Sequence, residues 1–344
     1  MKQDYKGGGF IEAPLHEKSW LFMGGNMPAY PVINPTGIYD YEVTGEKQAT
    51  NYTDPWTCVF ESITKQIAVL LGWKAKTDPG ILKILQDLKC IDEFGKINFS
   101  ARFSAWMSGM RHSGVGTTYE RALDSMRKVG LLGENNWPTT DDLTEGEYFA
   151  DPGQDNKDLA LKFLDWFTLN YEYIVRDFMK SYSTAEQIAE AAKYGTIAGC
   201  VDGQYDYDEN GLIGYEGKVL RYNHSVGYVD KPSWYDILDS YEPFKKRFVP
   251  DYKIGYPVIL YCNSKKKAMK LIKVKGKPAV YVYSELSDRY FPIGDGESLK
   301  ADGTPEITGG DLVHLFSGTN YPAIESVDSI DETKIGKEIK QYNS

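Results

Sequence analysis

No run of about 18 apolar residues, the length of a helical membrane span, occurs anywhere in this chain of 344 residues. A membrane partner is therefore not expected. Positive charge is also short: 39 Lys and Arg stand against 49 Asp and Glu, for a formal net charge of −10. No long basic cluster offsets that balance, so a nucleic-acid partner is not expected either. The two basic runs, Lys245-Lys246-Arg247 and Lys265-Lys266-Lys267, read as solvated loops. Cysteine is scarce, with Cys58, Cys90, Cys200 and Cys262 far apart and no CxxC pair. That spacing argues against a zinc site and a disulfide scaffold, so no metal or cofactor is expected and a reducing, cytoplasmic setting fits best. The N-terminal MKQDYKGGGFIEAPLHEK has no apolar core or cleavage site of a secretion signal.

What is present is an ordinary globular composition, 42% hydrophobic and 26% charged, with an excess of tyrosine at 26 residues. Tyrosine-rich strands explain that excess more simply than a broad binding groove does. Residues 1–47 hold so many Gly and Pro that they read as an irregular arm lying over the core, without the charged amphipathic helix of an inhibitory pro-segment. The stretch after residue 48 is helical in pattern. A helix from about Cys58 to Gly72, ILKILQDLKC, a Ser100-capped ARFSAWMSGM, and a helix carrying Leu123, Met126 and Val129 up to Gly130 follow one another. Residues 156–181 continue the helical reading, with Leu161, Phe163, Leu164, Phe167, Tyr171 and Ile174 as the buried set. After AEQIAEAAKYG, capped by Thr184, the period changes. TIAGCV, LIGYEG, NHSVGYV, WYDILDSY and YPVILYC are short, turn-bounded and rich in β-branched and aromatic residues, as antiparallel strands are. Helices first and strands second make an α+β arrangement with a cleft at the seam. Residues 263–344 read as a small β-rich module with a polar tail.

The chemistry centres on Cys58. Asp54-Pro55 is a helix-start signal, and the apolar positions Ile63, Ile67, Leu70 and Leu71 recur at helical spacing behind it. A thiol in the first turn of a buried helix lies at the positive end of the helix dipole, which favours the thiolate. Most cysteines are simple core packing, so the reading needs a base and an orienting group. Of the four histidines, His16, His112, His224 and His314, the one in the strand NHSVGYV is best placed. A hairpin after His224 would bring Asp239, fifteen positions on, beside its ring. Thiol, imidazole and carboxylate are the set that nucleophilic acyl transfer requires.

With those residues in view, the chain resembles a papain-like cysteine peptidase over residues 45–262. Cys58 heads the central helix, GTTYERALDSMRKVGLLGENNWP is similar to the family's glycine loop and helix, NHSVGYV to its histidine strand, and LDSY stands where an Asn-Ser-Trp-Gly run is usual. The resemblance implies an α+β, papain-like fold over 48–262. It also implies Cys58 as nucleophile, His224 as base, Asp239 as orienter and Gln48 as oxyanion donor, with Asn51 as a second candidate for that last role. Gly114, Gly116 and Thr117 then fall in the substrate loop, and Tyr241 replaces a sheltering tryptophan. Glu61, one turn beyond Cys58, would disfavour a thiolate if it faced the sulfur. The variant pattern resembles bacteriophage-encoded members, which would put the protein in a host cytoplasm or a virion.

The expected activity is hydrolysis of a peptide or protein, such as a virion precursor or a cell-wall peptide, through an acyl-thioenzyme on Cys58. Two alternatives stand beside it: an idle papain-like scaffold serving as a structural or binding protein, and acyl transfer of the transglutaminase kind. A further motif, Asp206-x-Asp208-x-Asn210-Gly211, has the spacing of a calcium loop but carries Gly217 where a bidentate Glu belongs. An exposed acidic hairpin is the better reading.

Overall fold

The structure, a computed structural model, describes residues 9–12, 47–174, 182–183, 185–205, 207–214, 220–231, 234–249, 251–265, 270–276, 280–284, 289–292 and 324–330. The chain divides into two compact units, Met1–Ser264 and Lys265–Ser344.

The helical half of the first unit contains α1 (Cys58–Thr77), α2 (Pro79–Asp87), α3 (Ala101–Met107), α4 (Tyr119–Val129), α5 (Glu145–Tyr148) and α6 (Gln154–Trp166). Start signals fix several of these. Ser100 accepts a hydrogen bond from Phe103 N and opens α3, Thr118 does the same from Arg121 N at α4, and Gly130 closes α4 at φ 79°. A side chain at Gly130 would strike the Ala160 carbonyl, so this glycine also lets α4 and α6 touch. Helix α1 begins at Cys58, as expected, but differs in its cap and in where it stops. Asp54 does not cap it; Thr57 is the N-cap and makes no side-chain cap bond. Gly72 does not stop it either, because an interior glycine costs only about 1 kcal/mol and the Trp73-Lys74-Ala75-Lys76 that follows is helix-compatible. Lys74 then ties the last turn to the Cys262 carbonyl at 2.6 Å.

The sheet half consists of β1 (Phe167–Tyr173), β2 (Tyr182–Ser183), β3 (Thr196–Val201), β4 (His224–Lys231), β5 (Trp234–Leu238), β6 (Lys245–Phe248) and β7 (Ile254–Ser264), with α7 (Ala185–Ala192) packed against it. The order is β1-β7-β3-β4-β5-β6, with β2 on β7, and every pairing is antiparallel. Ile188, Ile197, Val226, Ile237, Phe248 and Ile259 form much of its core.

Three further expectations about these elements need correction. The helical reading of 156–181 fails at Phe167, where the chain becomes strand β1; Phe167, Leu169 and Tyr171 are buried at alternate positions, whereas the helical reading rested on Phe163, Phe167, Tyr171 and Ile174, which recur at helical spacing. Leu161, expected in the core, is exposed. LIGYEG does not form a strand within its described residues: Ile213 makes only isolated bridges, to Tyr207 and Phe248. Thr184 and residues 175–181 lie outside the described residues.

The second unit contains β8 (Lys270–Val274), β9 (Val280–Ser284), β10 (Arg289–Pro292) and β11 (Ile324–Val327). They form one sheet in the order β10-β9-β8-β11, with β11 parallel to β8. Among the described residues no helix is long and apolar enough to cross a membrane.

Candidate active site

Helix α1 packs against β3, β4 and β7 and carries Cys58 to the edge of β4. The approach is close. Ser62 Oγ lies 2.6 Å from Ser225 Oγ, and Gln66 Nε2 donates to the Tyr228 carbonyl at 3.2 Å. A Cβ on Gly227 would fall 2.4 Å from Gln66 Nε2, so glycine at that point of β4 allows the helix to seat. His224 opens β4, and Asp239 follows β5; pairing of Gly227 with Leu238 brings their ends together.

The outcome is a contiguous set. His224 Nε2 is 2.8 Å from Asp239 Oδ1, and the ring also hydrogen bonds the Cys58 side chain, for which Nδ1 is the remaining nitrogen. All three residues are buried. Burial alone would push the His224 pKa down, but the Asp239 carboxylate and the Cys58 sulfur outweigh it and raise the pKa from 6.5 to about 10. Burial would likewise raise the Asp239 pKa, yet His224 and Lys246 hold it well below the usual carboxylate range. Cys90, Cys200 and Cys262 are free and buried, with burial pushing Cys90 and Cys262 up to about 12 and Cys200 well above the ordinary thiol value.

Asp239 has partners that the sequence reading missed. Its Oδ2 accepts from Lys246 Nζ at 2.8 Å and from Tyr205 Oη at 2.6 Å, and its Oδ1 accepts from Tyr241 N at 3.1 Å. Lys246 also donates to the Tyr241 and Pro243 carbonyls, at 2.7 and 2.8 Å. The run Lys245-Lys246-Arg247 is thus not a solvated loop. It is edge strand β6, in which Lys246 and Phe248 point inward while Lys245 and Arg247 point out. Phe248 was the available signal, since an apolar residue two positions on marks the inward face.

Gln48 is buried beside this set and its carboxamide is fully used. Nε2 donates to Asp54 Oδ1 at 2.7 Å and to Tyr241 Oη at 2.6 Å, while Oε1 accepts from Ser240 Oγ at 3.0 Å. Tyr241 in turn donates to Asp54 Oδ2 at 2.5 Å, and its ring leans on His224 with centroids 5.3 Å apart. Asn51 is exposed, with its backbone N–H tied to the Asp141 carbonyl. Glu61 pairs with Lys65 at 3.7 Å, so a cation meets its buried carboxylate.

The glycine loop is occupied. Gly9–Glu12 of the N-terminal arm lies along it: Thr117 N donates to the Gly9 carbonyl at 2.7 Å and Ile11 N donates to the Thr117 carbonyl at 2.9 Å. A Cβ on Gly116 would fall 2.6 Å from the Gly9 carbonyl oxygen. Gly114, by contrast, sits in a turn at φ 77° with open space around it. His112 is exposed, its Nδ1 2.8 Å from the Ser113 carbonyl. His16 and His314 lie outside the described residues. In the acidic loop Asp208 accepts from Asn210 N and Leu212 N, both at 2.8 Å, and so closes the turn itself; Asp206 and Gly217 lie outside the described residues. Among the described residues no cluster of His, Cys, Asp and Glu suited to a metal is found.

The chain is similar in structure to several cysteine proteases. Xylellain, a cysteine protease from Xylella fastidiosa, aligns at 13% identity over 74% of this chain and 95% of its own, with a TM-score of 0.46. Procathepsin L2, a digestive proteinase of the Tenebrio molitor larval midgut, aligns at 13% over 74% and 78%, with a TM-score of 0.42. The ragweed pollen allergen Amb a 11, a cysteine protease in its proform, aligns at 13% over 70% and 68%, with a TM-score of 0.40. None carries the bacteriophage resemblance further. No protein-family model matches the chain, and no curated protein matches it in sequence.

Proposed function

We propose that the protein is a papain-like cysteine peptidase or amidase acting on a peptide or protein through an acyl-thioenzyme on Cys58. The observation that carries this reading is His224 held between the Cys58 side chain and Asp239 Oδ1. In the reaction, the imidazole holds the thiol proton and the thiolate attacks the scissile carbonyl carbon. The imidazolium then gives that proton to the leaving amine, and a water, deprotonated by the same ring, releases the acid from the thioester. Asp239 fixes the ring and stabilises its charged form. Charge on the carbonyl oxygen would be met by backbone N–H groups of the first turn of α1, where no side chain caps the helix, and by Gln48 once it turns from Tyr241.

One observation favours the idle-scaffold reading: both Gln48 amide hydrogens are already taken, by Asp54 and Tyr241. Hydrolysis of a peptide library by the wild type, Cys58→Ala and His224→Ala separates the two. Cleavage lost in both variants supports the peptidase; a wild type that cleaves nothing supports the scaffold; cleavage retained in Cys58→Ala ends the reading of Cys58 as nucleophile.

A further inference from the structure

The segment Gly9–Glu12 is bound as a peptide ligand is bound, and what it touches defines chemistry that any competing peptide must match. Its backbone is tied on both sides. Besides the two bonds to Thr117, Phe10 N donates to the Asn223 carbonyl at 3.4 Å, the residue next to His224. On the other side a Cβ on Gly9 would lie only 1.8 Å from the carbonyl oxygen of Trp56, two residues before Cys58. Only glycine fits there, so the segment is threaded between the backbones that deliver the thiol and the imidazole.

Its side chains meet prepared surfaces. Phe10 is buried between Tyr119 and Tyr256, with ring centroids 5.3 and 5.4 Å away. The Glu12 carboxylate accepts from Tyr222 N at 3.1 Å and from Tyr256 Oη at 3.4 Å. Tyr222 is itself seated by Gly255, where a Cβ would fall 2.4 Å from its ring, and it meets Tyr256 edge to face at 6.0 Å. Two of the three non-glycine residues at positive φ among the described residues, Trp56 at 57° and Tyr256 at 45°, border this segment. Backbone held in that region costs about 1–3 kcal/mol per residue and collects where ligands are clamped.

We propose that the groove beside Cys58 selects peptides in which an aromatic residue is followed two positions later by a carboxylate, and that Gly9–Glu12 is the chain's own occupant of it. Tyr119 and Tyr256 read the ring, and the Tyr222 N–H with the Tyr256 hydroxyl reads the acid. This deepens the peptidase reading by naming its substrate class, but binding itself needs no catalysis.

The test therefore uses full-length Cys58→Ala protein, in which nothing is cut, and fluorescence polarisation with a labelled GGGFIEA peptide. Two second substitutions expel the internal segment: Phe10→Ala, which empties the aromatic socket, and Gly9→Val, which collides with the Trp56 carbonyl and leaves the domain core untouched. In either background the peptide should bind at least tenfold more tightly than to Cys58→Ala alone. Replacing the peptide's Phe by Ala should weaken binding at least tenfold, and replacing its Glu by Gln about threefold to tenfold. Tyr256→Phe should narrow the Glu-to-Gln difference. No peptide binding by the folded Gly9→Val protein, or equal affinity for the three peptides, overturns the proposal. Hydrolysis that is absent while this selectivity holds would count against the peptidase reading alone.

Discussion

Asp239 decides how the candidate site is wired at the scale of single residues. A buried carboxylate accepting from His224, Lys246, Tyr205 and the Tyr241 backbone is saturated with donors, which is how an aspartate can remain ionised without water. Lys246 is its fixed counter-charge, with both side chains fully buried. Lys246→Met removes one partner of a buried pair and should cost about 3 kcal/mol in urea unfolding. Catalytic turnover should fall with it as Asp239 loses its hold. Gln48→Ala, which removes the proposed side-chain oxyanion donor, should lower kcat about a hundredfold with a smaller change in KM; an unchanged kcat would assign Gln48 to packing alone. pH separates His224 from Asp239. The folded state holds the His224 proton more tightly than the unfolded chain does, so that contribution is complete below about pH 6.5 and fades as pH rises towards about 10. Asp239 runs the other way, contributing above the ordinary carboxylate pKa of 3.8 and losing ground as pH falls below it. Wild-type stability should therefore drop from pH 6.5 to 10 more steeply than that of His224→Ala, as read from urea midpoints.

The element that positions the site is α1 against β4, and Gly227 is a point of close approach between them. Gly227→Val would displace Gln66 from the Tyr228 carbonyl and push the helix away from the strand that opens with His224. A loss of about 1–3 kcal/mol is expected from the overpacking, together with a loss of activity larger than that of a surface control. Thermal unfolding and peptide hydrolysis measured on one sample check both. Elements of this kind were readable from the chain where one period ran long enough. The α1 apolar stripe, the Ser100 and Gly130 helix ends, and the strands TIAGCV, NHSVGYV, WYDILDSY and YPVILYC all emerge from spacing and capping chemistry. Residues 167–173 were not readable as a strand, because Phe167, Tyr171 and Ile174 continue the helical spacing while Phe167, Leu169 and Tyr171 alternate as a strand does, and only pairing with β7 decides between them. Lys246 was hidden for a related reason: a lysine between Lys245 and Arg247 looks solvated until alternation along an edge strand points it inward. The Asp54, Gln48 and Tyr241 network could not be seen at all, since its members are separated by up to 193 positions and meet only in three dimensions.

On the scale of the whole molecule, a helical half and an antiparallel sheet half carry Cys58 and the His224–Asp239 pair from positions far apart in the chain to one place. The arm that reads as irregular in the sequence contributes the segment that fills the adjacent groove, because Gly9 permits an approach to Trp56 that no side chain would allow. Release of that segment should then raise activity. Gly9→Val with Cys58 intact should hydrolyse peptides at least tenfold faster than the wild type, and a rate at or below wild type would show that the segment does not limit access.

The most direct measurement is intact mass spectrometry of Gly9→Val protein, acid-quenched during incubation with a peptide ester carrying the Phe-x-Glu pattern. The expected result is a mass increase equal to the acyl group, mapped to Cys58, growing in the presence of His224 and absent from Gly9→Val proteins that also carry Cys58→Ala or His224→Ala. No adduct on Cys58 while the peptide demonstrably binds, or an adduct that forms equally well without His224, would contradict a thiol and imidazole working as one catalytic unit.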